Sequence, residues 1–360
     1  MKTILSKNVN EALLCGVRMM SEKSNVRNIS PRGQETIECI EPVCTIYTHP
    51  RERVLFEPAR DANPFFHLME SLWILAGRND VEWIAQFNKN IATYSDNGET
   101  FHGAYGHRLR YVVCNGRNHQ DQLEEVVHLL KEDSNTRRAV LQIWNAGIDL
   151  NVNSKDLPCN DLIFLKIRDG KLIMTVCNRS NDMIWGAYGA NAVHFSILQE
   201  YIAAKVGVEV GVYRQVSDSY HVYTNNPQWK VLREIYASPT DSIDCDWYTF
   251  PNDPRVKQFS VKRIEPFPLI RNSSLWDLEL ADFMSETDAI IDKCEMIKRT
   301  FEEPFFNCVA VHVFNTWKTY KHCRKHGAPL TPAIEMAENI AAIDWKIACV
   351  KWLERRGDIK

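Results

Sequence analysis

The sequence has no apolar run long enough to cross a bilayer. Its start, MKTILSKNVNEALLCGVRMM, has neither a long apolar core nor a small-residue cleavage site. The expectation is mature protein with no membrane span. Net charge is also nearly absent: 43 Lys and Arg against 46 Asp and Glu leave a formal charge of -3. That excludes general electrostatic attraction to nucleic acid, so any anion site must be a local cluster of arginines. The eleven cysteines form neither a paired zinc motif nor a compact disulfide framework, which fits a reducing cytoplasm and no metal. Repeats and low-complexity tracts are missing too. What is present is a chain of 360 residues, 45% hydrophobic, enough to bury the core of one large domain or a domain with an appendage.

Residues 62 to 77 (ANPFFHLMESLWILAG) carry a helical pattern, Asp80 is placed to cap a helix through VEWIAQFNKN, and DQLEEVVHLLKED predicts a third. The period then changes. AVLQIW, LIFLKIR and KLIMTVC are rich in β-branched and apolar residues, with Asp169-Gly170 between the last two as a hairpin turn. NAVHFSILQEYIAAKVG reads as a buried helix leading into a strand, GVYRQVS. The segment from about 238 to 275 reads as irregular connection, and 277 to 300 and 331 to 355 as helices. The fold expected is α/β (α+β), a large, mostly antiparallel sheet flanked by helices. The catalytic domain would span 1–275, with a helical extension at 276–360 packed on it.

The chemistry-bearing block runs from Asn135 to Tyr223: NTRRAVLQIWN, then LPCND, then CNRSNDMIWGAYGAN, then SDSYHVYTNN. Taken singly these are bland, since a lone cysteine is usually a packed small residue and an Arg-Arg pair a solvated face. Their order changes that. Pro158-Cys159, Arg179-Ser180-Asn181-Asp182, Gly186, Asn191 and His221-Val222-Tyr223 follow one another, preceded by Glu70, Tyr105-Gly106, Arg137-Arg138 and Trp144-Asn145.

In that order and over roughly residues 30 to 226 the chain resembles thymidylate synthase, and within that family the phage-type deoxyuridylate hydroxymethylases. The chemistry asks for the same residue types. Carbon 5 of a pyrimidine is a poor nucleophile, and a thiolate adding to carbon 6 makes an enolate that can attack a one-carbon electrophile. Cys159 suits that role, and Arg179 suits both the support of a thiolate and the grip of a phosphate. The resemblance implies further that Arg179, Arg32 (or Arg27), and Arg137 with Arg138 from the second subunit of a homodimer bind the phosphate, with Ser180 adding a hydroxyl. It gives His221 and Tyr223, on one face of a strand, to the sugar, Asn191 to the base and Asp182 to the folate. Glu70, on an apolar helix, would organise proton transfers near base and folate. The co-substrate implied is 5,10-methylenetetrahydrofolate, and no membrane or stable nucleic-acid partner is expected.

Departures from the family bear on the product. Asn160 follows the nucleophile where histidine is usual, and Asn178 precedes Arg179 where glutamine is usual. One extra residue lies in GAYGAN, and another between Asp218 and His221. The chain ends CVKWLERRGDIK rather than in a short apolar tail that folds over the folate while hydride reduces an exocyclic methylene. Water adding instead would give 5-hydroxymethyl-dUMP, as in phages with modified bases, made in the host cytoplasm. The rivals are a thymidylate synthase making dTMP, a dCMP 5-hydroxymethylase, a Cys-His hydrolase without an evident oxyanion hole, and a silent nucleotide- or RNA-binding relative.

Overall fold

The computed structural model describes residues 1–114, 118–237, 247–249 and 263–357. Most of the segment expected to be irregular, 238 to 275, lies outside the described residues. The chain divides into two compact units. The first comprises Met1–Ala62, Arg108–Val152 and Leu157–Trp247, the second Asn63–His107, Asn153–Asp156 and Tyr248–Lys360.

The first unit is built on a mixed sheet. Its strands are β1 (Lys2–Ser6), β2 (Val26–Ile29), β3 (Thr36–Cys39) and β4 (Val43–Tyr47) near the N-terminus. A small separate pair follows, β5 (Val112–Cys114) with β6 (Asn118–Gln120), and then β7 (Val140–Gln142), β8 (Asn160–Arg168), β9 (Lys171–Asp182) and β10 (Glu209–Tyr223). The main sheet runs in the order β1-β4-β10-β9-β8-β7, with β3 on the far end of β10 and β2 beside β3. Among the described residues only the β1–β4 and β9–β10 pairings are parallel, so the sheet is mostly antiparallel, as expected.

Alternation places Leu172, Met174 and Val176 of β9 and Ile163 and Leu165 of β8 in the core. The helix Asn191–Val206, buried along most of its length, packs against β9 and β10. Its Gln199 donates Nε2 to the carbonyl of Leu172 at 2.8 Å, which holds the helix to the sheet. The β8–β9 hairpin turns at Asp169-Gly170, both left-handed (φ 52° and 71°), the conformation a two-residue turn between twisted strands demands.

The second unit is helical and aromatic. The helix Pro64–Leu75, capped by Asn63, buries Phe65, Leu68, Met69 and Leu72 completely, and Phe65 meets Trp317 and Trp352 at ring distances of 5.2 and 5.4 Å. Three expected helices are shorter than their sequence patterns. Asp80 does cap a helix, but it ends at Ala85, because the Asn88 side chain accepts from Asn90 N and starts a separate tight turn at Lys89–Tyr94. The helix expected over 277 to 300 is Trp276–Ile290. The Lys318 ammonium donates to the carbonyls of Ile290, Ile291 and Lys293, and Asn315 takes both the N–H and the carbonyl of Ile297, so the chain there needs no helix to satisfy its backbone. The last pattern divides into Thr331–Ala337 and Ile343–Gly357. Among the described residues no helix is long and apolar enough to cross a membrane.

Candidate active site

The hairpin brings the nucleophile candidate and its cation together. Cys159 stands immediately before β8 and Arg179 lies in β9, where the Arg179 amide donates to the Cys159 carbonyl at 3.1 Å. The guanidinium is aimed by two backbone acceptors: Nε donates to the Pro158 carbonyl at 2.8 Å and an Nη to that of Leu157 at 3.2 Å. The same Nη reaches the Cys159 sulfur at 3.9 Å, and the indole of Trp144 lies 5.3 Å beneath the guanidinium. A partly buried thiol with a fixed positive group beside it is the arrangement a nucleophilic thiolate needs.

Asn191 opens the long helix and is buried. Its Nδ2 donates to Asn181 Oδ1 at 3.1 Å, and its Oδ1 accepts from Asn160 Nδ2 at 3.4 Å. The extra residue of GAYGAN is absorbed by a wide π-type turn over Met183–Ala190, in which Tyr188 and Gly189 leave helical geometry. Asn191 therefore still faces the buried amides at the end of β9. Gly186 is required there, because a Cβ would lie 2.5 Å from Asn181 Oδ1 and 3.1 Å from Asn191 Nδ2.

Asp182 ends β9 and accepts from Trp185 N with Oδ1 at 2.5 Å, while its Oδ2 is buried with no hydrogen-bond partner among the described residues. Burial pushes its carboxyl above the ordinary carboxylate range, against the opposing pull of the Trp185 amide, His221 and Arg60. Arg60 is itself fully buried, which lowers its guanidinium to about 10, and stacks over Trp185 at 5.2 Å.

His221 and Tyr223 do share one face of β10, with rings 5.4 Å apart. His221 Nδ1 lies 3.1 Å from the Ser219 carbonyl, and the Ser219 hydroxyl donates to Glu38 at 2.6 Å. Glu38 also accepts from Arg27 at 2.8 Å through Nε. Arg27 is thus engaged by Glu38, whereas Arg32 is exposed in a left-handed conformation (φ 52°) within the turn Pro31–Gly33. The extra residue near Asp218 falls where β10 exchanges antiparallel partners, between Ser217, which pairs with β4, and His221, which pairs with β3.

Arg137 and Arg138 are exposed just ahead of β7, and Ser180 is partly buried beside Arg179. Glu70 belongs to the second unit, partly buried on the helix Pro64–Leu75 between fully buried Met69 and Ser71. Sequence reasoning missed Arg60, Asn181 and Gln215. Arg60 gives no signal in EPARDAN, but Gln215 and Ser217 stand at alternate positions after Tyr213 in YRQVS, and the three share the buried face of β10. Among the described residues no group of three or more His, Cys, Asp and Glu is placed to hold a metal ion.

Residues 60–274 match the family described as thymidylate synthase. The chain is 44% identical to a protein of Pseudomonas phage M6 named deoxyuridylate hydroxymethyltransferase, over 99% of this chain and 95% of that one. It is 39% identical to the protein of the same name from Bacillus phage SP01, over 73% of this chain and 68% of that one. A protein of Methanosarcina acetivorans named putative thymidylate synthase is 38% identical over 43% of this chain and 66% of its own. A family match over more than half of the sequence, joined to an alignment along nearly all of it, shows that this chain belongs to the thymidylate synthase family.

Proposed function

We propose that the protein transfers a one-carbon unit from 5,10-methylenetetrahydrofolate to carbon 5 of dUMP, giving 5-hydroxymethyl-dUMP and tetrahydrofolate. The observation that carries this reading is the Cys159 sulfur held beside the Arg179 guanidinium, with Arg179 bonded to the backbone of Leu157 and Pro158. The phage relative aligned along nearly the whole chain bears the name of that reaction.

Cys159 Sγ adds to carbon 6, and the displaced electron pair makes carbon 5 nucleophilic through the enolate at carbon 4. Carbon 5 takes the one-carbon unit with release of tetrahydrofolate, and loss of the carbon-5 proton leaves an exocyclic methylene. Water adds its oxygen to that carbon, and expulsion of the thiolate from carbon 6 restores the ring. No net oxidation or reduction occurs, so no hydride is drawn from the folate.

In this reading Arg179, Arg32 and Ser180 hold the phosphate with Arg137 and Arg138 of the second subunit of a homodimer, and His221 and Tyr223 bind the sugar. Asn191 reads the base, and Glu70 relays protons. Asp182 faces the folate, and its buried Oδ2, without a hydrogen-bond partner among the described residues, suits an N–H donor of the pterin. The site of action would be the host cytoplasm.

Mass spectrometry of the products from dUMP and methylenetetrahydrofolate tests the reaction. Hydroxymethyl-dUMP with tetrahydrofolate is expected, and dTMP with dihydrofolate would overturn it. Sharing of arginines is tested by refolding Arg138→Ala and Cys159→Ala proteins together. Each alone is expected to be nearly inactive, and the mixed dimer to regain activity because one of its two sites is whole. Mixed dimers without activity would remove Arg138 from the neighbouring site.

A further inference from the structure

Asn191 is one link in a chain of buried side chains whose hydrogen bonds all run one way. Asn160 Nδ2 donates to Asn191 Oδ1, Asn191 Nδ2 to Asn181 Oδ1, Asn181 Nδ2 to Gln215 Oε1, and Gln215 Nε2 to the Tyr213 hydroxyl at 2.8 Å. Asn181 Nδ2 also reaches Ser217 Oγ at 2.9 Å. Every member is at least nine-tenths buried, so none can exchange its partner for bulk water. At one end stands the Tyr213 hydroxyl, kept protonated by burial and able to accept or donate. At the other stands Asn160, beside the nucleophile, with Oδ1 buried and unpartnered among the described residues.

Such a chain has two self-consistent states. In the state present here, each amide gives its N–H toward Tyr213. In the other, every amide is turned over, the Tyr213 hydroxyl donates to Gln215, and Asn191 gives its N–H to residue 160. The two states exchange the positions of the Asn191 carbonyl and amino group. That exchange matters to a pyrimidine, because uracil offers an acceptor at carbon 4 and a donor at N3, whereas cytosine offers the reverse.

We propose that the carboxamide chain from Tyr213 to Asn160 sets the direction in which Asn191 reads the base, and that the residue at 160, as the terminal donor, selects which base is accepted. Asn160 and Asn181 are then positioning residues that act through Asn191. The proposal rests on the pyrimidine-nucleotide reading above and adds to it where base choice is decided.

The chain's polarity makes a pair of variants with opposite outcomes. Aspartate at 160 cannot donate when ionised, so Asn160→Asp forces Asn191 to turn its amino group toward it and reverses the whole chain. Aspartate at 181 accepts from Asn191 as Asn181 does now, so Asn181→Asp keeps the present direction while Gln215 and Tyr213 turn. Both substitutions put the same charge beside Asn191, so a general electrostatic or packing effect would move them alike.

The measurement is the rate of solvent exchange of the carbon-5 hydrogen, with dUMP and with dCMP, as the ratio of the two specificity constants. It needs no folate: the thiolate adduct takes up a solvent proton at carbon 5 and loses the original one before the thiolate leaves. Asn160→Asp is expected to lower the dUMP-to-dCMP ratio at least tenfold relative to wild type, and Asn181→Asp to keep it within threefold. Should Asn160→Asp not fold, Asn160→Ala takes its place, with a fall of at least threefold expected because the terminal donor is gone. Parallel shifts in the 160 and 181 variants, or no shift at 160, would overturn the proposal. Wild type that exchanges neither nucleotide would overturn the proposed reaction instead. Wild type that favours dCMP would correct its substrate, with the contrast between the two variants still deciding the role of the chain.

Discussion

The interiors of the two units are held together by different physics. Beside Cys159 the first unit buries amides and hydroxyls whose bonds have direction: Asn191 and Asn181 each accept from one neighbour and donate to the next. The second unit buries Phe65, Phe87, Phe283, Phe306, Trp317 and Trp352 in ring-to-ring contact, where area and shape count and direction does not. A directional interior can encode which ligand fits but tolerates few states, whereas an aromatic interior supplies stability and is indifferent to the chemistry. Substitutions in the two places should fail in different currencies.

The largest expected effect is chemical. Cys159→Ala should lower carbon-5 hydrogen exchange by on the order of a thousandfold or more while dUMP still binds, because adduct formation precedes exchange and alanine has no nucleophile. Appreciable exchange by the variant would remove the thiol from its role.

Next is the aromatic interior. Trp352 is 3% exposed, touches Phe65, Trp317 and Tyr320, and has Arg356 over its ring. Trp352→Ala should cost about 3–5 kcal/mol in urea unfolding and leave the dUMP-to-dCMP ratio alone. A changed ratio would break the division between the two interiors.

A smaller effect is expected at the base reader itself. Asn191→Asp offers only acceptors, which suit the amino group of cytosine, and should move discrimination by about 1–3 kcal/mol, a tenfold change or more. Steady-state specificity constants for dUMP and dCMP decide it, and an unchanged ratio would take Asn191 away from the base.

The smallest concerns Asp161. Burial raises its carboxyl to about 6, with Arg179 opposing and Asp218 adding. The folded state thus holds this proton more tightly than the unfolded chain, so stability is highest below the unfolded value near 4 and declines as pH rises through about 6. Asp161→Asn should flatten that decline and gain about 1 kcal/mol at pH 7.5, a figure reduced for the half of the group that solvent screens. Unfolding midpoints at pH 5 and 7.5 measure it, and identical slopes in the two proteins would count against it.

The legible parts of the molecule are those whose cause is local. Asp169-Gly170 marks its own turn, and the hairpin then fixes Cys159 against Arg179. The alternation of His221 and Tyr223 places both on one face. The carboxamide chain was not legible, because Asn181 and Gln215 come from two strands, β9 and β10, whose parallel pairing no turn signal announces, and they are not register partners within it. The helix stops at Ala85 and Ile290 depend on side chains that satisfy backbone groups, one of them from a distant helix. Periodicity alone cannot see either.

The two-residue turn at Asp169-Gly170 also says how this protein should be sought in unfamiliar genomes. A codon gained inside β8 or β9 would carry every later side chain in that arm to the opposite face, and two would restore the face but displace Arg179 by about 7 Å. Loop residues added at the turn itself would leave the paired arms untouched. The mechanical dimensions are thus the two arms, from Cys159 to the turn and from the turn to Arg179, and not the total interval of 20 positions between the two residues. A search template for remote relatives should hold each arm rigid and let the loop length float.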